Sequence, residues 1–286
     1  MSSIKEETEF IMRKYNIKAN KSLGQNFLID DEAVEKIVES SEITKEDLVI
    51  EIGPGLGTLT KELLERAGKV ICIELDKNMI NILQDRFSLY ENFELINEDV
   101  LKVDLQTIIK NEKERNNIRY AKIVANLPYY ITTPIIMKLL EEQLDLKSIT
   151  VMIQKEVADR LIATPGENNT GAITYSVYYY SESQKIVEVT NDCFIPRPDV
   201  TSEVIKLDIR NKVPVDVKNK KEMFKIIKCA FMQRRKTLLN SLTNAKVFEN
   251  KEEGIKILQE IGLDINIRAE KLTLQDFAEI TNKILI

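Results

Sequence analysis

At 286 residues, 43% of them hydrophobic, the chain can bury a full core, and its length fits one large domain or a medium domain with a small one. The absence of histidine and the scatter of three cysteines, Cys72, Cys193 and Cys229, exclude structural zinc and the Ser-His and Cys-His nucleophile schemes. A net charge of −5 argues weakly against nucleic acid, but that charge is unevenly spread.

Near the N-terminus Arg13, Lys14, Lys18 and Lys21 add four positive charges with no acid between them. Four apolar, β-rich runs then follow: LVIEI (48–52), KVICIE (69–74), FELI (93–96) and AKIVANL (121–127), with helical patterns between them. That alternation predicts a parallel sheet with helices on its faces. TLTKELLERAG places Leu59, Leu63 and Leu64 at helical spacing, and Gly68 is expected as the glycine that ends the helix. After NLPYY, Thr133 is expected to cap a helix that Pro134 opens, with Ile135, Ile136, Leu139 and Leu140 facing the sheet. A strand ITVMIQ, a helix KEVADRLIA and a loop TPGENNTG follow, and SQKIVEV and SEVIKLDI are expected to pair antiparallel at the sheet edge. Residues 210–222 read as a linker, and beyond them FKIIKCAFMQ, KTLLNSL, GIKILQEIG and LQDFAEITNKIL read as helices.

From Lys212 to Lys246 ten Lys/Arg face two acids, a local balance of +8 that leaves −13 on the remainder. Such a cluster is either a solvated face or a phosphate-binding one. No apolar run approaches the roughly 18 residues of a membrane span, and the charged start MSSIKEETEF is no secretory signal, so a cytosolic protein is expected. Cys72 within VICIE reads as a small core hydrophobe.

EIGPGLG (51–57) follows the first of these strands and opens the first of these helices, and Gly53, Gly55 and Gly57 allow a sharp turn that brings backbone N–H groups against a ligand. A dinucleotide fingerprint wants glycine where Thr58 stands, so the turn suits a ligand without a pyrophosphate better. Glu74, 21 residues after Gly53, ends the second strand where a carboxylate accepts from two ribose hydroxyls. Asp99 follows the third strand and suits an adenine amino group. Singly, each acid is an ordinary surface residue; jointly they favour an adenosine-containing ligand.

NLPYY then falls at the end of the fourth strand. An exocyclic adenine amine is a poor nucleophile because its lone pair is delocalised into the ring. The amide oxygen of Asn126 and the carbonyl of Leu127 can accept its two N–H bonds and free that lone pair. Pro128 stiffens the turn, and Tyr129 or Tyr130 offers a face on which a base stacks, worth about 1–3 kcal/mol. If the adenosine ligand carries a methylsulfonium, the reaction is an in-line methyl displacement accelerated chiefly by positioning, roughly 7–11 kcal/mol in favourable cases. The plainer alternative makes NLPY a strand-ending turn with a half-buried tyrosine.

KSLGQNFLID, EIGPGLGTLT, Glu74, Asp99, NLPYYITTPI and CFIPRPDVTSEV, in that order, resemble the small-subunit ribosomal RNA adenine N6,N6-dimethyltransferases, the kasugamycin-sensitivity enzymes. The resemblance runs from about Lys21 to the basic stretch near Arg235. It implies an α/β fold: a Rossmann-like class I methyltransferase domain with a mostly parallel seven-stranded sheet over residues 1–210, and a small all-helical RNA- and ribosome-binding domain over 211–286. It implies S-adenosyl-L-methionine as cofactor and 16S rRNA in an immature small ribosomal subunit as partner, with two adjacent adenosines of the 3′-terminal hairpin loop converted to N6,N6-dimethyladenosine. No metal is implied, and a monomer is expected. By position, Asn26, Leu28, Gly53, Glu74, Asp99 and Asn126 match the family's cofactor contacts, and Asn126, Leu127, Pro128 and Tyr129 its target-amine motif. Phe194 matches the aromatic that packs the flipped base from the other side, although pattern alone places it in the core. The QNFL segment, lying before the strand LVIEI, is expected to fold over the cofactor as a lid. Arg234, Arg235 and Lys236 are expected consecutively on a helix that meets RNA phosphates.

The nearest sibling is the erythromycin-resistance family, which modifies one adenosine of large-subunit RNA; EIGPGLG and NLPY favour the small-subunit enzymes. Thr58 and the lack of histidine disfavour a nicotinamide oxidoreductase. A non-catalytic assembly factor that holds back immature subunits is a third reading, compatible with catalysis.

Overall fold

The computed structural model describes residues 3–20, 24–115, 118–233 and 235–284. The chain divides into two compact units, Met1–Ala158 with Ser183–Ile209, and Asp159–Glu182 with Arg210–Ile286.

The first unit begins with α1 (Ile4–Lys14), whose first turn is closed by a reciprocal Ser3–Glu6 capping box. A two-residue strand β1 (Phe27–Leu28) and α2 (Asp31–Ser40), capped by the Asp30 side chain, precede the first long strand. Then β2 (Asp47–Ile52), α3 (Thr58–Arg66), β3 (Lys69–Glu74), α4 (Lys77–Phe87), β4 (Phe93–Asn97), α5 (Leu105–Arg115), β5 (Tyr120–Asn126), α6 (Thr132–Glu141), β6 (Ser148–Gln154) and α7 (Lys155–Leu161) alternate along the chain. The next helix, α8 (Ala172–Tyr180), separates them from β7 (Ser181–Val189), β8 (Phe194–Ile195) and β9 (Ser202–Ile209).

Seven strands form one sheet in the order β4-β3-β2-β5-β6-β9-β7. Strands β2 to β6 are mutually parallel, and β9 runs antiparallel to β6. Every residue of β2 is buried, as are residues 121–125 of β5, which is why both read as mostly apolar runs, interrupted by Glu51 and Lys122, instead of alternating ones. Strand order reverses between β2, which continues outward through β3, and β5, which continues the other way. The carboxyl ends of the strands diverge there and leave a crevice. At the opposite end, Lys122 donates to Asp47 Oδ2 at 3.0 Å and to the Glu42 carbonyl at 2.6 Å, a paired charge with both side chains almost fully buried.

The second unit packs α8 with α9 (Lys220–Phe231), α10 (Leu238–Asn244), α11 (Lys251–Glu260) and α12 (Leu274–Ile284). Tyr175 anchors it: fully buried, the ring lies edge-on to Phe277 at 5.1 Å, and its hydroxyl donates to the carbonyls of Leu272 and Ala269 at 2.7 and 3.2 Å.

Several expectations need correction. Gly68 does not end α3 in a left-handed conformation; a β carbon there would meet the Lys45 carbonyl oxygen at 2.2 Å, so close backbone approach demands the glycine. Helix α6 starts at Thr132 with Ile131 as its cap residue, ahead of the expected Thr133–Pro134 start, and Thr132 Oγ1 donates to the Pro128 carbonyl at 3.1 Å. SQKIVEV and SEVIKLDI are both strands and are neighbours at the sheet edge, as expected, with β9 also joining the edge to β6. The helical unit begins before residue 211, because Tyr175 and Tyr179 of α8 share its core. Arg235 and Lys236 lie in the turn between α9 and α10 and not on a helix; Arg234 lies outside the described residues.

Candidate active site

An open cleft of about 1040 Å³, its mouth included, lies at the carboxyl ends of β2, β3, β4 and β5. Its floor is the glycine turn between β2 and α3, where Gly53, Gly55 and Gly57 take φ of +66°, +57° and +84°. The turn stays tied to the sheet because the Gly53 N–H donates to the Ile73 carbonyl at 2.9 Å.

Glu74 ends β3 and is 8% exposed. Its Oε2 accepts from the Gly55 N–H at 3.3 Å and its Oε1 from the Asp76 N–H at 2.8 Å. Burial pushes this carboxyl above its ordinary range, and those backbone N–H groups oppose the shift. Each carboxylate oxygen has a second lone pair, so acceptor capacity toward the cleft remains. Asn97, the last residue of β4, donates to the Glu74 carbonyl at 2.8 Å and holds the ends of β3 and β4 together. Two residues on, Asp99 is half-buried, with Oδ1 accepting from the Leu101 N–H at 3.0 Å.

Asn126 ends β5. Its Nδ2 donates to the Asn26 carbonyl at 3.2 Å, which fixes the amide and leaves Oδ1 as its acceptor. Leu127 is buried, its N–H donating to the Met152 carbonyl of β6 at 3.1 Å. The Pro128 carbonyl accepts from the Ile131 N–H at 3.2 Å, which closes the turn. The Tyr129 hydroxyl lies 2.6 Å from Ser202 Oγ of β9, and burial raises the phenol above its ordinary range. Tyr130 is 58% exposed, and its ring lies against Gly24.

Residues 24–28 cover the glycine turn: the Phe27 ring stands 3.3 Å from where a Gly55 β carbon would be, and Gln25 Nε2 donates to Asp76 Oδ2 at 2.9 Å. The structure thus brings Asn26, Leu28, Gly53, Glu74, Asp99, Asn126, Leu127, Pro128 and Tyr129 around one cleft. Phe194 is the exception. It pairs with Leu28 across the β1–β8 ladder, is 2% exposed, and joins the core with Leu28 and Val189 instead of lining the cleft.

Sequence reasoning passed over Glu51, whose only signal was an acid inside an apolar strand. The residue is among those lining the cleft, and its fully buried carboxylate has Oε2 accepting from Thr60 Oγ1 at 2.6 Å and from Cys72 Sγ at 3.4 Å. Burial pushes its carboxyl up to about 7. Asp76 and Ser202 were also missed, and both act through neighbours: one latches residue 25, the other holds a tyrosine ring.

A mostly parallel seven-stranded sheet, with a glycine turn, two strand-end acids and an asparagine at its switch point, defines a Rossmann-like class I methyltransferase fold. Residues 16–285 match the family described as ribosomal RNA adenine dimethylase. The chain is 48% identical over 281 residues to the Ribosomal RNA small subunit methyltransferase A of Lachnoclostridium phytofermentans, covering 98% of this chain and 96% of that one. It is 47% identical over 277 residues to the protein of the same name from Clostridioides difficile, covering 97% and 94%. Among solved structures, a dimethyladenosine transferase from Plasmodium falciparum is similar with a TM-score of 0.74 at 27% identity, over 91% of this chain and 98% of that one. The fold is also that of the 23S rRNA methyltransferase ErmE, with a TM-score of 0.68 at 22% identity over 91% and 100%. The chain belongs to the ribosomal RNA adenine dimethylase family.

Proposed function

We propose that this adenine dimethylase transfers methyl groups from S-adenosyl-L-methionine to N6 of two adjacent adenosines in the 3′-terminal hairpin loop of 16S rRNA. The product is N6,N6-dimethyladenosine, formed on an immature small subunit. The observation that carries the reading is the arrival of Glu74, Asp99 and Asn126, at or just past the carboxyl ends of β3, β4 and β5 on either side of β2, in one cleft floored by the glycine turn.

The donor set fits the cofactor. Glu74 keeps acceptor capacity for ribose hydroxyls while its carboxylate is locked by the Gly55 and Asp76 N–H groups. Asp99 offers an acceptor at the next strand end, and Leu75, 51% exposed on the rim, offers an apolar face for a purine. S-adenosylmethionine, when bound, supplies an electrophilic methyl carbon. The rest is the work of this chain's own groups. Asn126 Oδ1, oriented by the Asn26 carbonyl, accepts an N–H of the target amine and shifts electron density onto its nitrogen. The Leu127 carbonyl is the second acceptor. Tyr129, anchored through Ser202, presents a fixed ring on which the extruded base stacks; Tyr130 carries no such anchor among the described contacts. No imidazole is needed, because positioning and electrostatics carry the barrier reduction.

The test incubates the chain with labelled S-adenosylmethionine and either unmethylated small subunits or large-subunit RNA, then maps labelled nucleosides. Label on two adjacent small-subunit adenosines is expected; label confined to large-subunit RNA overturns the substrate assignment. Asn126→Ala should bind precursor subunits but lose methyl transfer by about 10²-fold or more. Persistent transfer removes Asn126 from its role.

A further inference from the structure

Against the glycine turn packs a cluster, Glu7, Lys61, Arg86 and Phe87, whose members are not among the residues lining the cleft. The last turn of α4 carries Arg86 and Phe87 side by side. Arg86 Nη1 donates to the Leu56 carbonyl, and the Phe87 ring fills the space beneath Gly57, where an added β carbon would stand 2.4 Å from it. Two consecutive residues of α4 therefore grip two consecutive residues of the turn. The Arg86 guanidinium lies 4.8 Å from the Phe87 ring centroid, so one contact stiffens the other.

Arg86 is itself held. Its Nη2 donates to Glu7 Oε1, and its side chain is 13% exposed. Glu7, on α1, also accepts from Lys61 Nζ at 3.0 Å, and Lys61 stands on α3, which the turn opens into. One carboxylate of the N-terminal helix thus ties the cation under the turn to the cation just beyond it. A second clasp joins the same two helices, with Lys14 Nζ at 3.0 Å from Asp85 Oδ2 and the Tyr15 hydroxyl bonded to that oxygen.

We infer that Arg86 is a positioning residue for the cofactor turn, set in place by Glu7 of the N-terminal helix. This rests on reading the turn as the S-adenosylmethionine cradle. The guanidinium satisfies the Leu56 carbonyl, whose own peptide N–H, that of Gly57, donates to the Pro54 carbonyl at 2.9 Å, and so fixes the peptide plane that closes the turn and shapes the backbone the cofactor lies against. Truncating Arg86 leaves the Leu56 carbonyl and the Glu7 carboxylate without that partner, and the turn relaxes out of its binding geometry. The chemistry at Asn126 is untouched, so the loss falls on cofactor affinity and not on turnover at saturation.

The experiment uses the full chain, calorimetric titration with S-adenosylhomocysteine, and methylation kinetics on unmethylated small subunits. Arg86→Gln should weaken binding about tenfold and raise KM for S-adenosylmethionine in step, with kcat within about twofold. Arg86→Lys, which keeps charge but not the fork, should recover part of the loss, and Glu7→Gln should weaken binding about threefold. The double variant should be no worse than Arg86→Gln alone. If Arg86→Gln does not fold, Glu7→Gln, which keeps the guanidinium, carries the test. Folded variants with unchanged affinity, or a fall in kcat at constant KM, overturn the inference. A wild-type chain that fails to bind S-adenosylhomocysteine instead refutes the proposed function.

Discussion

Glu51 shows how much one buried side chain decides. Its ordinary pKa is 4.5, and burial raises it to about 7 in the fold. Between those values the folded state holds a proton that the unfolded chain has released, so stability falls as pH rises through the window. The loss from this group reaches about 3 kcal/mol above pH 7. Glu51→Gln keeps an amide oxygen for Thr60 and removes the ionisation. Its unfolding free energy, measured without cofactor by denaturant titration, should fall less steeply between about pH 5 and pH 8 than that of the wild type. Parallel profiles would show that Glu51 ionises freely in the fold. The residue lies beside the glycine turn that pattern reading singled out, yet composition could not reveal that Thr60 and Cys72 close over its carboxylate. Phe194 teaches the converse: a motif position implied a base-facing ring, and pairing with β1 turned that ring into the core.

At the scale of elements, β2, β3, β5 and β6 were legible because strands covered on both faces are predominantly apolar and do not alternate. Helix α8 was not, since AITYSVYYY has no polar face; five of its nine residues are buried, and its period is hidden. Arg235 and Lys236 were expected on a helix, but both lie in the turn that follows α9, and α10 starts only at Leu238 under a Thr237 cap. Gly68 separates two meanings of glycine. A substitution there must displace the Lys45 backbone rather than a flexible side chain. Gly68→Ala should therefore lower stability by about 2 kcal/mol or more, seen as a reduced Tm, while S-adenosylhomocysteine affinity stays near wild type. An unshifted Tm would mean that the β2–β3 connection moves aside at little cost.

For the whole molecule, charge separates more sharply than the net value suggests. The +8 between Lys212 and Lys246 falls within the unit built from residues 159–182 and 210–286, and Arg235 and Lys236 are exposed in its α9–α10 turn. Cations on a turn reach phosphates of a folded RNA without helical spacing. Reversing both to Glu should weaken binding to precursor small subunits and flatten its salt dependence, while cofactor affinity is preserved. Unchanged binding in filter or sedimentation assays would assign ribosome affinity elsewhere.

The amino-acid sequence by itself determined the strand and helix alternation, the glycine turn, the acids at two strand ends and the NLPY segment, because each depends on local spacing and backbone preference. Tertiary structure alone decided which groups share a cleft, that β9 enters the sheet beside β6, that Phe194 is core, and that Glu7 reaches Arg86 across 79 residues of chain. Those facts depend on burial and long-range pairing, where a side chain's surroundings come from segments distant in sequence and no local pattern records them.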